Sequence, residues 1–119
     1  MTTDPGPAPL SDAEYRTLSD AVLAAVETRV DAWLEADVID IDAHRTGGLL
    51  EMRFPNGSVL VLNTQPPLQE LWLAARSGGF HYKYVDGAWR DTRSGVEFWD
   101  RLSTCATEQG AQPLRFTPP

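Results

Sequence analysis

Cysteine is almost missing from these 119 residues, with Cys105 standing alone. One thiol can make neither an intrachain disulfide nor a thiolate zinc site, so a reducing compartment is expected. No apolar run approaches the roughly 18 residues of a membrane span. The stretch from Met1 to Pro9 has neither the basic nor the apolar segment of a signal peptide, which points to a cytoplasmic protein. There is no Gly-x-Ser-x-Gly elbow to carry a nucleophile. There is no Gly-rich phosphate loop either, since Gly47-Gly48 and Gly78-Gly79 read as hairpin turns. Aromatic strands are present, but no basic groove accompanies them, so neither nucleic acid nor an anionic membrane is an expected partner.

What is present is acid, unevenly placed. The net charge is −7. Residues 1–51 hold 11 acidic side chains against three arginines, whereas residues 52–119 hold six acidic and seven basic ones. The excess lies in the first half, a field that attracts cations or a basic protein surface.

The patterning is that of one domain over residues 11–116, with tails at 1–10 and 117–119. Ser11-Asp12-Ala13-Glu14 is a capping box. Tyr15, Leu18, Val22, Val26, Val30 and Trp33 then recur at helical steps, to an end near Leu34 or Glu35. Ile39-Asp40-Ile41-Asp42 alternates as a strand within residues 38–43. Leu49 to Phe54 and Val59 to Asn63 read as strands about the Asn56-Gly57 turn, the second of them central because Val59 to Leu62 is continuously apolar. Leu68 to Ala75, Phe80 to Val85 and Ala88 to Arg90 follow, with Asp86-Gly87 as a hairpin turn. Ser94-Gly95-Val96-Glu97 reads as a second capping box. It opens a helix that buries Phe98, Leu102, Cys105 and Ala106, with Gly110 at its stop. Helix, five or six antiparallel strands, helix makes an α+β fold. It is a two-layer α/β sandwich with the N- and C-terminal helices on one face of the sheet.

Asp20, Glu27, Asp31 and Glu35 form one stripe of the first helix. Asp12 and Glu14 add charge at its start, and Asp37, Asp40 and Asp42 continue it beyond its end. Among nearby basic residues, only Arg29 is positioned to relieve this set. Carboxylate oxygens suit hard cations, iron included. A solvated face is the commoner use of an acidic helix, and the residues alone leave both readings open. His44, closing the acidic strand, is either a peripheral ligand or a surface residue. His81, within Phe80-His81-Tyr82, reads as sheet packing. Trp72, preceded by prolines and amides, suits a core position or an interaction hot spot equally well.

The segment Asn63-Thr64-Gln65-Pro66-Pro67-Leu68-Gln69-Glu70-Leu71-Trp72-Leu73-Ala74 resembles the signature of the frataxin family. Asn63, Gln65, Pro67, Leu71, Trp72, Leu73 and Ala74 match it, and Glu70 replaces its Gln. Asp40-Ile41-Asp42, Asn56-Gly57-Ser58, Gly78 to Tyr82, and Ser94-Gly95 with Phe98-Trp99 extend the resemblance to the bacterial CyaY branch. The resemblance implies the same sandwich. It implies a non-enzymatic protein that binds iron, Fe2+ or Fe3+, weakly and reversibly. It further implies docking on a cysteine desulfurase of the IscS type and on the iron–sulfur scaffold protein, to regulate cluster assembly or supply its iron. The implied iron ridge comprises Asp12, Glu14, Asp20, Glu27, Asp31, Asp40 and Asp42, to which Glu35, Asp37 and His44 are neighbours. The implied partner surface comprises Glu27, Asp31, Asp40, Asp42, Asn63, Gln65 and Trp72. Two positions commonly acidic in this branch are Thr28 and Ala32 here. A monomer is expected, with iron-driven oligomerisation left open. Two other readings stand beside this one. The first is an acidic interaction module with no metal role. The second is a ferroxidase or iron store, which the missing Glu-x-x-His repeats disfavour.

Overall fold

In the computed structural model, which describes residues 10–119, the capping box at Ser11 is closed in both directions. Ser11 Oγ accepts from the Glu14 amide at 3.0 Å, and the Glu14 carboxylate accepts from the Ser11 amide at 2.9 Å. From it runs α1, Asp12–Glu35. Six strands follow: β1 (Asp42–Thr46), β2 (Leu49–Arg53), β3 (Val59–Gln65), β4 (Glu70–Ala75), β5 (Gly78–Val85) and β6 (Ala88–Asp91). A 3-10 turn, Pro66–Leu68, joins β3 to β4, and α2 (Phe98–Gly110) completes the fold. The sheet is an antiparallel meander in chain order, so β1 and β6 are its edges. The expected tail at residues 1–9 lies outside the described residues. Leu10, counted with that tail, packs against the core, and its carbonyl accepts from Gln69 Nε2 at 2.6 Å.

Both helices lie on one face. Leu50, Met52, Leu60, Leu62, Leu71, Leu73, Tyr82 and Trp89 point into it from β2 to β6 and are buried. They meet Val22, Leu23, Val26, Val30 and Trp33 of α1, and Phe98, Trp99, Leu102 and Ala106 of α2. Leu114 and Phe116 fold back and are buried, with Phe116 edge-on to Trp33. Cys105 is buried on the apolar face of α2, and burial raises its thiol above the ordinary range. Tyr15 ties the layers together. Its hydroxyl donates to the Glu70 carbonyl at 2.5 Å and accepts from the Gln65 amide at 3.0 Å. No helix among the described residues is long and apolar enough to cross a membrane.

Three expectations at element ends require correction. The alternating run at residues 38–41 is not laddered, although Ile39 and Ile41 are buried and Asp40 is exposed. Pairing stops at Asp42 opposite Arg53: Phe54 bonds to Ser58 on the β3 side, and the next residue that would face β1 is Pro55, which has no N–H to donate. Ser94 is not the cap of α2. Glu97 is, accepting from the Trp99 and Asp100 amides, while Ser94 accepts from Val96 in the preceding turn. Gly110 is the last helical residue, and Ala111 takes the left-handed position at φ 55°. The glycine is needed for close approach instead: a Cβ there would lie 2.5 Å from Leu114 Cδ1 and 3.2 Å from Ile39 Cδ1.

Two stability outcomes follow from this geometry. Gly110→Ala overpacks that contact and is expected to lose about 1–3 kcal/mol in urea unfolding. Ala111→Gly relieves a left-handed alanine and is expected to gain about 0.5–1 kcal/mol. Tyr82 is fully buried, and its hydroxyl has no hydrogen-bond partner among the described residues. Tyr82→Phe is therefore expected to leave stability unchanged or raise it by up to about 1 kcal/mol, and a loss above that range would refute the unpaired hydroxyl.

Candidate functional site

The strand register divides the acidic residues. Alternation along β1 turns Asp42 and His44 to the open face, opposite Arg53 and Glu51, and turns Ala43 and Arg45 towards α1. Arg45 crosses to the helix, where its guanidinium meets Glu27 Oε1 at 3.0 Å and Asp20 Oδ1 at 3.3 Å. Its Nε donates to the Gly47 carbonyl at 3.3 Å. The relief expected from Arg29 does not come from that residue. Arg29 donates to the Arg115 carbonyl at 3.0 Å and lies over the Trp33 ring. Period alone could not reveal this, because Arg45 reaches α1 only through the layer packing.

The carboxylates further along are left without a counter-charge. Asp31, Glu35, Asp37 and Asp40 are exposed and make no ion pair with any described residue. The last turn of α1 contains no basic side chain. Asp31 and Glu35 thus face the negative end of the helix dipole as well as each other at an i,i+4 spacing. Each effect costs a few tenths of a kcal/mol, up to about 1. Asp37 also ends the helix: it is left-handed at φ 58°, and the next amide, of Val38, bonds back to the Trp33 carbonyl. At the other end, hydrogen bonds from Ser11 hold the Glu14 carboxyl below its usual range, and Asp12 is exposed in the first turn. Asp42 and His44 pair with each other at 3.2 Å. Among the described residues, no three His, Cys, Asp or Glu side chains converge on one metal position. The ridge is a field of oxygen donors rather than a preformed cage.

The signature residues gather on the open face. Asn63, Trp72 and His81 stand side by side across β3, β4 and β5, with Gln65, Glu70 and Lys83 in the next row. Trp72 is half-buried and stacks on His81 with ring centroids 4.1 Å apart and planes at 6°. Its indole N–H donates to Glu70 Oε1 at 2.8 Å. The Glu70 side chain, only 11% exposed, also has Lys83 Nζ at 3.3 Å and His81 Nδ1 at 3.6 Å. The residue that departs from the signature is thus the one that orients the Trp72 ring. Trp72 is neither a core residue nor a free one, but a ring held on the open face by His81 and Glu70. The amide side chains of Asn63 and Gln65 make no hydrogen bond among the described residues, so they remain available beside it. Sequence reading did not find the roles of Arg45, Glu70 and Lys83. The i,i+2 spacing of Glu70 and Trp72 on one strand face is a sequence-level trace of their contact, whereas the Glu70–Lys83 pairing requires the register.

Residues 8–112 match the family described as the frataxin-like domain. The iron-sulfur cluster assembly protein CyaY of Burkholderia mallei (strain SAVP1) is 53% identical over 108 residues, 91% of this chain and 99% of its own length. The protein of the same name from Paraburkholderia phymatum is 49% identical over 109 residues, 92% of this chain and all of its own. Among solved structures, the frataxin of Psychromonas ingrahamii superposes with a TM-score of 0.79 at 35% identity, covering 91% of this chain and 99% of that one. A trimeric, ferrous-complexed frataxin from the yeast Saccharomyces cerevisiae has a TM-score of 0.68 at 23% identity, covering 91% and 93%, a likeness of fold. With the helix–meander–helix sandwich, the acidic first helix and the signature row on the open face, this chain belongs to the frataxin family, in its CyaY branch.

Proposed function

We propose that this protein serves iron–sulfur cluster assembly in the cytoplasm by binding rather than by turnover. Its ridge holds iron weakly and reversibly and docks on a cysteine desulfurase of the IscS type. Asn63, Gln65 and Trp72 meet the same machinery, including its scaffold protein. The relatives that match at about half identity over nearly their whole length are named as iron-sulfur cluster assembly proteins. The observation that carries the reading is the uncompensated charge at the end of α1, where Asp31, Glu35, Asp37 and Asp40 lack any counter-ion among the described residues.

The physics accounts for weak binding. A divalent cation about 4 Å from a carboxylate gains about 2 kcal/mol in bulk water. Two or three such contacts correspond to dissociation constants from about millimolar to tens of micromolar. Iron in either oxidation state accepts oxygen donors. The same exposed carboxylates suit a basic groove on a partner, so iron and desulfurase compete for one surface. The missing three-residue cluster favours a second reading, in which the ridge is a docking surface with no metal role.

Glu27→Lys combined with Asp31→Lys is expected to weaken both iron and desulfurase binding at least tenfold in calorimetry, and unchanged affinities would reject the shared ridge. Anaerobic addition of Fe2+ to 15N-labelled protein should broaden the amides of residues 27–42 first; desulfurase binding without that broadening would select the second reading. Arg45→Ala frees the Asp20 and Glu27 carboxylates. It is expected to tighten iron binding roughly two- to fivefold at a stability cost below about 1 kcal/mol, as for an exposed ion pair.

A further inference from the structure

At the opposite edge of the sheet from the ridge, the connection from β6 to α2 passes beside the start of β5 and leaves a cavity of about 280 Å³. Its wall includes Phe80, His81, Thr92, Arg93, Ser94 and Arg101. In a chain of net charge −7, two arginines, Arg93 and Arg101, line this one cavity. Arg101 projects from α2, with its guanidinium 4.2 Å above the Phe80 ring, and its side chain is 19% exposed. A guanidinium has five N–H donors. The contacts it makes here are long: Ser94 Oγ at 3.4 Å and Asp91 Oδ2 at 3.7 Å. The Arg93 guanidinium and the Thr92 hydroxyl have no hydrogen-bond partner among the described residues.

Asp91 is the one acid in the wall, and it is committed elsewhere. Its Oδ1 accepts from the Arg93 amide at 2.7 Å and the Ser94 amide at 3.1 Å, which shapes the turn. Burial alone would raise its carboxyl. The two amide bonds and Arg101 outweigh burial and hold it below the usual range. Asp91 therefore stays ionised and fixes Arg101 from one side, at the wall of the cavity.

We propose that this cavity binds a small oxyanion, a phosphate or carboxylate group, through the free donors of Arg101 and Arg93, with the Thr92 and Ser94 hydroxyls beside them. A planar guanidinium matches two oxygens of such a group at once. Phe80 and Asp91 hold Arg101 in place, so little side-chain entropy is lost on binding. No part of this inference depends on iron binding at the ridge.

The test is an amide NMR titration of the full chain with inorganic phosphate, with acetate as the carboxylate arm and sodium chloride at matched ionic strength as control. Saturable shifts should appear at Thr92, Arg93, Ser94 and the Arg101 side-chain N–H. A response to phosphate alone assigns the ligand as a phosphorylated molecule, and a response to acetate alone assigns a carboxylate. Arg93→Ala, at an exposed turn position, should fold normally and weaken binding roughly fivefold, the scale of an exposed charge pair. Arg101→Gln should abolish the saturable shifts. Shifts no larger than the chloride control, an adventitious response equal in size at Arg53 and Arg115, or unchanged affinity in Arg93→Ala would each overturn the site.

Discussion

The structure depends on burying one side of a sheet. Two helices cover a single face of six antiparallel strands, so alternation along each strand decides which residues become core and which become surface. A slip of one residue in β4 would bring Trp72 under the helices and put Leu71 and Leu73 in water. The Tyr15 hydroxyl helps to prevent this, because it bonds to the Gln65 amide and the Glu70 carbonyl where β3 turns into β4. The first helix is thereby keyed to the sheet at the two residues flanking the connector.

The distribution of charge follows from the same register. Arg45 points to the helix side of β1 and neutralises Asp20 and Glu27, while Asp42 and His44 point to the other side. What looks in one dimension like a continuous acidic run is, in three, a compensated upper stretch and an uncompensated lower one. The lower stretch combines like charges with the negative end of a helix dipole. Exposed repulsion of this kind is weakly destabilising, and any cation or basic partner that relieves it gains the difference.

The open face carries a second division. Glu70, nearly buried, gathers Trp72, His81 and Lys83 around one carboxylate. This shielded carboxylate accepts the Trp72 indole N–H, with Lys83 and His81 close beside it, and so fixes the ring. Beyond His81 the surface becomes basic, so the sheet runs from acid at the β1 edge to base near β6.

Local patterns carried much of the fold. The Ser11 capping box, the helical spacing from Tyr15 to Trp33 and the Asn56-Gly57 turn each act within a few residues, so they read correctly in one dimension. Ser94 and Gly110 misled for the opposite reason: each has the right chemistry for a helix end, but the β6–α2 turn claims one and the contact with Leu114 claims the other. The candidate site divides in the same way. The sequence by itself determined the family, the acidic stripe and the signature, because these are matters of residue type and spacing. Only the tertiary structure decided that Arg45 rather than Arg29 answers the stripe, that Lys83 joins Glu70 beside Trp72, and that Arg93 and Arg101 line one cavity. Arg45 and Asp20 or Glu27, and Arg93 and Arg101, come from different segments, brought near by register and layer packing, whereas Glu70 and Trp72 share one face of β4 and need only the strand to be formed.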